Sequence, residues 1–308
     1  MIQGTLKKII DIFMDGEYHI VYRHTGEGMK TRQLRPTFYE WYADPIMYTQ
    51  DGVTVVFMEV YDRFTDKGYI GVSEFDESGV LKRPRKVIDE PFHMSFPLTF
   101  MSGDAVYMMP ETIGGGPLRI YRKGGSIYEW SQARVIDGIE GCVDSVVYSD
   151  DGSSDINIFT CKENPDNKLM TGLRWYILKG GADGECIDNS QALPDEYRRY
   201  GYDVRNGGPI IKMNGELFRV IQKSTERIYG ESIEIRKLEI SDSQYKETTV
   251  REISLADFDV STLPLTTHRV GIHTYGCENG IEITDMFVAR ASLKNTARKI
   301  IKKIRKGR

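Results

Sequence analysis

Four carboxylates sit where apolar strands would normally exclude them. Asp44 and Asp144 each open an apolar run, Asp44-Pro45-Ile46-Met47-Tyr48 and Asp144 to Tyr148, while Glu59 and Glu111 lie within apolar strands. An unpaired carboxylate in such a strand is costly, so each needs either a cationic partner or a function. Cations and amides recur at comparable places. Arg205 opens Arg205-Asn206-Gly207-Gly208, Arg219 and Gln222 follow on the next strand, and His93 and His273 precede apolar stretches. Paired carboxylates with such neighbours suit sugar recognition and glycosidic bond cleavage. One acid protonates the leaving oxygen while its partner activates water or attacks the anomeric carbon. The acid needs a raised pKa, which burial and a second carboxylate supply. Arginine and amide groups bind hydroxyls, phosphate or uronate. Structural roles compete at every position: Asp44 before Pro45 can cap a turn, Asp144 a strand. The arginines can neutralise the carboxylates, and His93 and His273 can be hydrogen-bonded core residues.

The elements that must position these groups are five hairpins, each an apolar strand, a tight turn and a second apolar strand. Their turns are Asp51-Gly52, Gly103-Asp104, Asp151-Gly152, Asn214-Gly215 and Asn279-Gly280, about 50 to 65 residues apart, room for one four-stranded sheet each time. Radial repetition of such sheets predicts an all-β fold, a five-bladed β-propeller. A propeller gathers the first residues of its inner strands around one central funnel. The strand starts predicted to face it are Asp44, Ser95-Phe96-Pro97, Asp144, Arg205-Asn206-Gly207-Gly208 and His273-Thr274. The propeller is expected over residues 1–290. The strand Tyr18 to Arg23 is predicted to close the last blade, which otherwise lacks its outer strand.

The period changes at the end of the chain. Leu293, Ala297, Ile300, Ile301 and Ile304 share one side of a predicted helix over 291–308, and lysines and arginines take the rest. Residues 290–308 hold nine Lys/Arg and no acid, so with a net charge of −4 for the chain the remainder carries −13. A basic amphipathic helix reads as an anchor for an anionic membrane surface, its rival being a helix packed on the propeller with a solvated basic face. The acidic body argues against nucleic acid as a partner.

Other chemistry finds no support. Gly114-Gly115-Gly116-Pro117 lacks the Lys-Ser/Thr of a phosphate loop and reads as a rim loop. No H-E-x-x-H, G-x-S-x-G or C-x-x-C pattern occurs. Cys142, Cys161, Cys186 and Cys277 lack metal-type spacing and read as free thiols of a reducing cytoplasm, although Cys142 and Cys161 are placed to pair across blade three. No run of about 18 apolar residues predicts a membrane span. Met1 to Lys8 lacks the layout of a signal peptide, so a cytoplasmic location, peripheral at the membrane, is expected. No cofactor or metal is predicted.

Trp41-Tyr42-Ala43-Asp44-Pro45-Ile46 resembles the opening of a five-bladed propeller family related to glycoside hydrolase families 32 and 43. Phe57-Met58-Glu59, Lys67 to Gly71, His93 to Pro97, Met109-Pro110-Glu111-Thr112, Val143-Asp144-Ser145, Arg205 to Gly208, Gly215 to Gln222, Tyr229-Gly230 and Ile272-His273-Thr274 continue the likeness in order. The pattern is similar to the N-terminal domain of plant glucosamine inositolphosphorylceramide transferases and to bacterial surface-glycan gene products. The resemblance spans about residues 38–288. It implies a sugar-containing ligand and a role in polysaccharide assembly or trimming. It also implies that Asp44 is base or nucleophile, Asp144 tunes the acid and Glu111 is the acid; Glu59, His93, Arg205, Arg219, Gln222 and His273 are read, from residue type and position, as holding the sugar. Two departures stand out: Met-Pro-Glu-Thr differs from the hydrolase acid motifs, and blade two opens with Ser-Phe-Pro where some hydrolases have aspartate. The reading is therefore a glycan-active enzyme, hydrolytic or glycosyl-transferring. The alternative is a non-catalytic propeller that presents a glycan or lipid-linked sugar to a partner enzyme. In related hydrolases a calcium ion sometimes occupies the propeller centre, but no dedicated ligand loop for one is present here.

Overall fold

The computed structural model describes residues 14–25, 30–241, 244–260, 268–291 and 293–306. The reading of Met1 to Lys8 lies outside them. The chain folds as a five-bladed β-propeller of five antiparallel sheets. Blade one is Glu40–Gln50, Val53–Asp62, Lys67–Glu74 and Arg85–Ile88. Blade two is His93–Ser102, Ala105–Ile113, Pro117–Lys123 and Trp130–Glu140. Blade three is Cys142–Tyr148, Ile156–Glu163, Thr171–Lys179 and Glu185–Asp188. Blade four is Ile211–Met213, Glu216–Lys223, Ser232–Ser241 and Gln244–Ile253.

Blade five is assembled from both ends of the sequence. His268–Gly271 and Tyr275–Glu278 pair with Ile281–Ala291, and the long strand Met14–His24 lies against Ile281–Ala291 over its whole length. Arg32–Leu34 then adds a further outer strand. The N-terminal segment thus supplies two strands to the last blade, where the sequence suggested one.

Blade four departs from expectation at its inner edge. Arg205 to Gly208 does not begin a regular strand; it carries a single bridge from Asn206 to Ile221 before the short Ile211–Met213. Close backbone approach explains this. A Cβ on Gly208 would stand 2.1 Å from the Tyr275 carbonyl oxygen and one on Gly207 2.8 Å from the Gln222 nitrogen. The Gly207 N–H donates to the Val220 carbonyl at 2.9 Å and the Gly207 carbonyl accepts the Tyr275 N–H at 2.7 Å, so the segment bonds to blade four and to blade five.

The core lies between neighbouring blades, as the outward and inward faces of alternating strands require. One cluster, including Phe100, Ile120, Val146, Trp175 and Tyr245, runs from blade two to blade four. Others fill the gaps between blades five and one (Tyr22, Val56, Ile283), four and five (Val220, Ile272, Met286), and one and two (Phe57, Met94, Met108). Truncating a side chain such as Phe159, fully buried in the first cluster, would cost about 3–5 kcal/mol.

The C-terminal helix, Leu293–Lys306, reverses the packing of the rival reading, a helix docked on the propeller with its basic face solvated. Ile300, Ile301 and Ile304 are 54%, 38% and 58% exposed, whereas Arg298 is only 5% exposed. Arg298 lies over the Phe38 ring and donates to the Phe38 carbonyl at 3.4 Å, and Lys302 pairs with Asp66. Specific partners for two cations on blade one and the segment before it therefore turn the basic side inward. No helix of the described residues is long and apolar enough to cross a membrane.

Candidate functional site at the propeller centre

Blades one, two and three share one local device. Their inner strands lose register at Ala43/Ile46, Ser95/Leu98 and Val143/Val146, leaving Asp44-Pro45, Phe96-Pro97 and Asp144-Ser145 as bulges. The first residue of each takes a positive φ, 51° at Asp44, 44° at Phe96 and 47° at Asp144. For a residue with a Cβ this left-handed backbone costs on the order of 1–2 kcal/mol, least for aspartate and asparagine. A bulge also frees an amide from the ladder.

Each freed amide donates to a carboxylate of the preceding blade. Asp44 N–H donates to Asp285 Oδ2 at 2.9 Å, Phe96 N–H to Asp44 Oδ2 at 3.1 Å, and Asp144 N–H to Glu111 Oε2 at 3.2 Å. Arg205 Nε and Asn206 Nδ2 of blade four continue the ring, reaching the Asp144 carboxylate and, at 2.6 Å, the Asp144 carbonyl. Blade five closes it, with the His273 and Thr274 amides donating to Asp285 Oδ1 at 3.2 and 3.0 Å. The central carboxylates thus link blade to blade and stabilise the strained bulges.

Asp44 is held on both oxygens. Thr274 Oγ1 donates to its Oδ1 at 3.0 Å, and His273 Nε2 stands 3.3 Å from the same atom. His273 Nδ1 makes an ion contact of 2.7 Å with Asp285 Oδ2, outside hydrogen-bond alignment. Burial opposes a charge on His273, yet Asp285 and Asp44 carry its pKa up to about 9. Burial pushes Asp44 up to about 6, against the pull of His273. Between those values an aspartate and an imidazolium face each other. Asp44, His273 and Asp285 each offer a ligand atom, all within 4.8 Å of one another, so this trio has the donors and spacing to hold a metal ion. The imidazolium already supplies a positive charge there.

Glu59 and Glu111 occupy matching places, opposite Ala43 and Ser95 on their neighbouring strands, but differ in surroundings. Burial and the Asp144 charge push Glu111 well up, while Arg205, with Nη2 3.9 Å away, pulls it down. Glu59 has no such arginine acting on it. Burial, then Asp44, Glu111 and Asp285, push its carboxyl well above the usual range, and its Oε1 has no hydrogen-bond partner. His93 Nε2 is 3.3 Å from that oxygen, while its Nδ1 accepts the Gly68 N–H at 3.0 Å. Burial and Lys67 lower the His93 pKa, so burial disfavours the charged form of both members of the pair. Gly68 makes the corner possible, since a Cβ there would lie 2.5 Å from the Met94 carbonyl, 2.8 Å from Glu59 Oε1 and 2.9 Å from His93.

Of the nine residues singled out from sequence, Asp44, Glu59, His93, Glu111, Asp144, Arg205 and His273 form this central network. Arg219 meets none of its carboxylates and touches it only through Asn206. It is fully buried, bonded to Glu247 at 2.6 Å, to Asn206 Oδ1 at 2.7 Å and to the Val204 carbonyl. Residues three apart on a strand point to opposite faces, so Arg219 and Gln222 cannot both face the funnel. Gln222 donates to Ser224 Oγ at 3.1 Å, and Ser224 Oγ in turn accepts the Gly230 N–H, a brace under the Tyr229-Gly230 loop. Asp285 was missed, although Ile283-Thr284-Asp285 carries the same signal of an acid in an apolar strand as Glu59 and Glu111. Tyr18 and Tyr229 were also missed. Their rings lie 4.5 and 5.5 Å from that of His273, and Arg205 stands over Tyr229. A cavity of about 270 Å³, lined by the Gly114–Gly116 loop and Glu163, opens beside blades two and three; Glu163 lies 3.3 Å from Arg205.

Residues 35–258 match the family described as glucosamine inositolphosphorylceramide transferase 1, N-terminal. The chain belongs to this family. It is 30% identical over 215 residues to glucosamine inositolphosphorylceramide transferase 1 of Arabidopsis thaliana, covering 68% of this chain and 27% of that protein. It is 28% identical over 216 residues to the protein of that name from Oryza sativa subsp. japonica, covering 68% and 28%. The chain therefore spans roughly a quarter of the length of these relatives. Among solved structures, the fold is similar to an exo-β-1,3-galactanase from Phanerochaete chrysosporium, with a TM-score of 0.55 and 12% identity over 72% of this chain and 56% of that one. It is also similar to an exo-1,5-α-L-arabinanase from a bovine ruminal metagenomic library, with a TM-score of 0.50 and 9% identity over 77% and 93%. The family and its propeller neighbours are concerned with glycans, and the fold is the one the repeats predicted.

Proposed function

We propose that this propeller binds a sugar of a glycan or lipid-linked saccharide at its centre, in the assembly of surface polysaccharide, and presents it to a glycosyl-transferring partner. The observation that carries this reading is the bonding of Asp44, Glu111 and Asp144. A glycosidase needs a carboxylate free to attack or activate water and a second free to deliver a proton. Here Asp44 is bonded through both oxygens, Asp144 is ion-paired to Arg205, and Glu111 accepts the Asp144 amide. Groups committed in this way support recognition more than turnover.

One observation favours catalysis. Glu59 is a buried carboxyl whose pKa is pushed well up, with an oxygen that accepts no hydrogen bond, beside a histidine whose pKa is pushed down, the direction required of a general acid. The two readings separate in one experiment. A panel of oligosaccharides and nucleotide sugars is screened for thermal stabilisation, and each hit is followed for product by chromatography. Binding without turnover supports presentation. Turnover abolished by Glu59→Gln moves the assignment to an enzyme with Glu59 as acid, and a panel with no hit removes both readings.

The C-terminal helix suits association with an anionic membrane surface from the cytoplasmic side, because Ile300, Ile301 and Ile304 are exposed beside lysine-rich sequence. Sedimentation with anionic liposomes should fall to background in an Ile300→Glu/Ile304→Glu variant. Equal sedimentation of the variant would exclude this face.

A further inference from the structure

The inner strands of each blade are antiparallel, so the propeller has two ends with different contents. At one end the inner hairpins turn, at Asp51-Gly52, Gly103-Asp104, Asp151-Gly152, Asn214-Gly215 and Asn279-Gly280. The other end, the funnel mouth, holds the strand starts, the Gly114–Gly116 rim loop and the Tyr229 loop, which reaches His273 and Arg205 of the centre. Ile281–Ala291 leaves its turn at Ile281 and finishes beside Met14, so it delivers the C-terminal helix to the mouth. Two contacts that seat the helix lie there as well. Phe38 precedes the first strand of blade one, and Asp66 lies in the turn that joins Val53–Asp62 to Lys67–Glu74. The helix and the mouth ends of three strands, at Gly16, Trp41 and Tyr61, wall one cavity of about 300 Å³.

Seated in this way, the helix turns Ala297, Ile300, Ile301 and Ile304, spaced as one stripe, away from the propeller. An apolar stripe left in water is unfavourable. On a segment with nine Lys/Arg and no acid, its fitting counterpart is an anionic bilayer. The opposite end of the propeller has the opposite character. Asp51, Asp104, Asp150 and Asp151 are exposed at the hairpin turns of blades one to three, and Lys212 of blade four is paired with Asp151. An anionic surface repels that end and attracts the helix, so charge and apolarity select the same face.

We propose that the chain docks on an anionic bilayer with its funnel mouth turned to the membrane plane and its acidic turns in water. This rests on the reading that the helix associates with a membrane and goes beyond it, since an anchor on a free tail would leave the orientation open. A partner that shares the centre must then itself work at the membrane plane.

The test is labelling of the whole chain with a polyethylene-glycol maleimide, free or bound to phosphatidylcholine vesicles containing phosphatidylserine, each thiol being followed by mass spectrometry. Ile113→Cys places a thiol at the mouth, on a position 53% exposed beside the rim loop, and native Cys277 is exposed at the turn end. Vesicles should slow labelling of the introduced thiol several-fold and leave that of Cys277 unchanged. In an Ile300→Glu/Ile304→Glu background the protection should vanish. A bound chain whose introduced thiol stays reactive, or whose Cys277 is shielded as well, overturns the orientation and leaves the membrane reading standing. Failure to sediment with the vesicles removes both. A dimer in lipid-free solution that the double variant dissolves assigns the stripe to a second copy and overturns the proposal.

Discussion

Asp44 and Glu59 sit on paired strands of one blade, each 5% exposed, and their surroundings differ in kind. Asp44 receives an amide and a hydroxyl and has an imidazolium 3.3 Å away, while Glu59 Oε1 accepts no hydrogen bond and has only the His93 ring, itself disfavoured as a cation, at 3.3 Å. The ring to which Asp44 belongs resembles a structural fitting made of polar parts. Asp285, Asp44 and Glu111 each support a bulge that would otherwise be strained, and two of the bulges, at Asp44 and Asp144, carry carboxylates of the ring. The Glu59–His93 corner has no such duty. Burial of a polar group is therefore a poor guide to function until its partners are counted, and the group with fewest partners is the better candidate for meeting a ligand.

The comparison is most exposed to Asp285→Ala. That change strips the acceptor from three amides and removes the counter-charge of His273, so denaturant unfolding should show a loss of about 3–5 kcal/mol. A loss under about 1 kcal/mol would erase the distinction between ring and corner.

Gly68→Ala attacks the corner from behind. The new methyl must displace Glu59, His93 or the Met94 carbonyl, so a loss of roughly 1–3 kcal/mol is expected. Affinity for whichever sugar binds should drop further than stability accounts for, which titration of the folded variant would measure.

Protonation offers a third approach. Folding raises the His273 pKa from 6.5 to about 9, so folding favours the protonated form. Its contribution is complete below about pH 6.5 and is lost as the pH climbs through 9, roughly 1–3 kcal/mol in all. Stability measured across that window should decline in wild type and stay flatter in His273→Gln.

Glu59→Gln should give the smallest change in stability, and with the opposite sign. Folding favours the protonated acid, so from its ordinary value of 4.5 upward ionisation pulls against the native state. An amide escapes this, and the variant should be as stable as wild type or slightly more so at pH 7, while sugar binding weakens. Destabilisation by Glu59→Gln comparable to that of Asp285→Ala would place Glu59 in the ring after all.

The architecture was legible because turns and alternation are local. Asp51-Gly52 or Asn279-Gly280 between apolar runs announces a hairpin without knowledge of the rest of the chain. Which carboxylates converge was legible for the same reason, since Asp44, Glu59, Glu111 and Asp144 break apolar patterns. What each is bonded to was not. The Phe96 amide reaches Asp44 across 52 positions and Thr274 reaches it across 230, distances over which one sequence carries no pairing signal. The orientation of the C-terminal helix was hidden likewise. Its apolar stripe is plain, but that Arg298 finds Phe38 and Lys302 finds Asp66 depends on the finished surface.

The two-ended construction of blade five bears on how the chain is made. Met14–His24 leaves the ribosome before its partner Ile281–Ala291, which is synthesised some 260 residues later. Until then the early strand is an exposed edge with Ile20 and Val21 to hide, the kind of surface that aggregates or recruits a chaperone. Tyr18, which stacks on His273, arrives with that strand. Closure of the ring and completion of the centre are consequently one event, and a chain stalled before residue 281 would have four blades and no finished site.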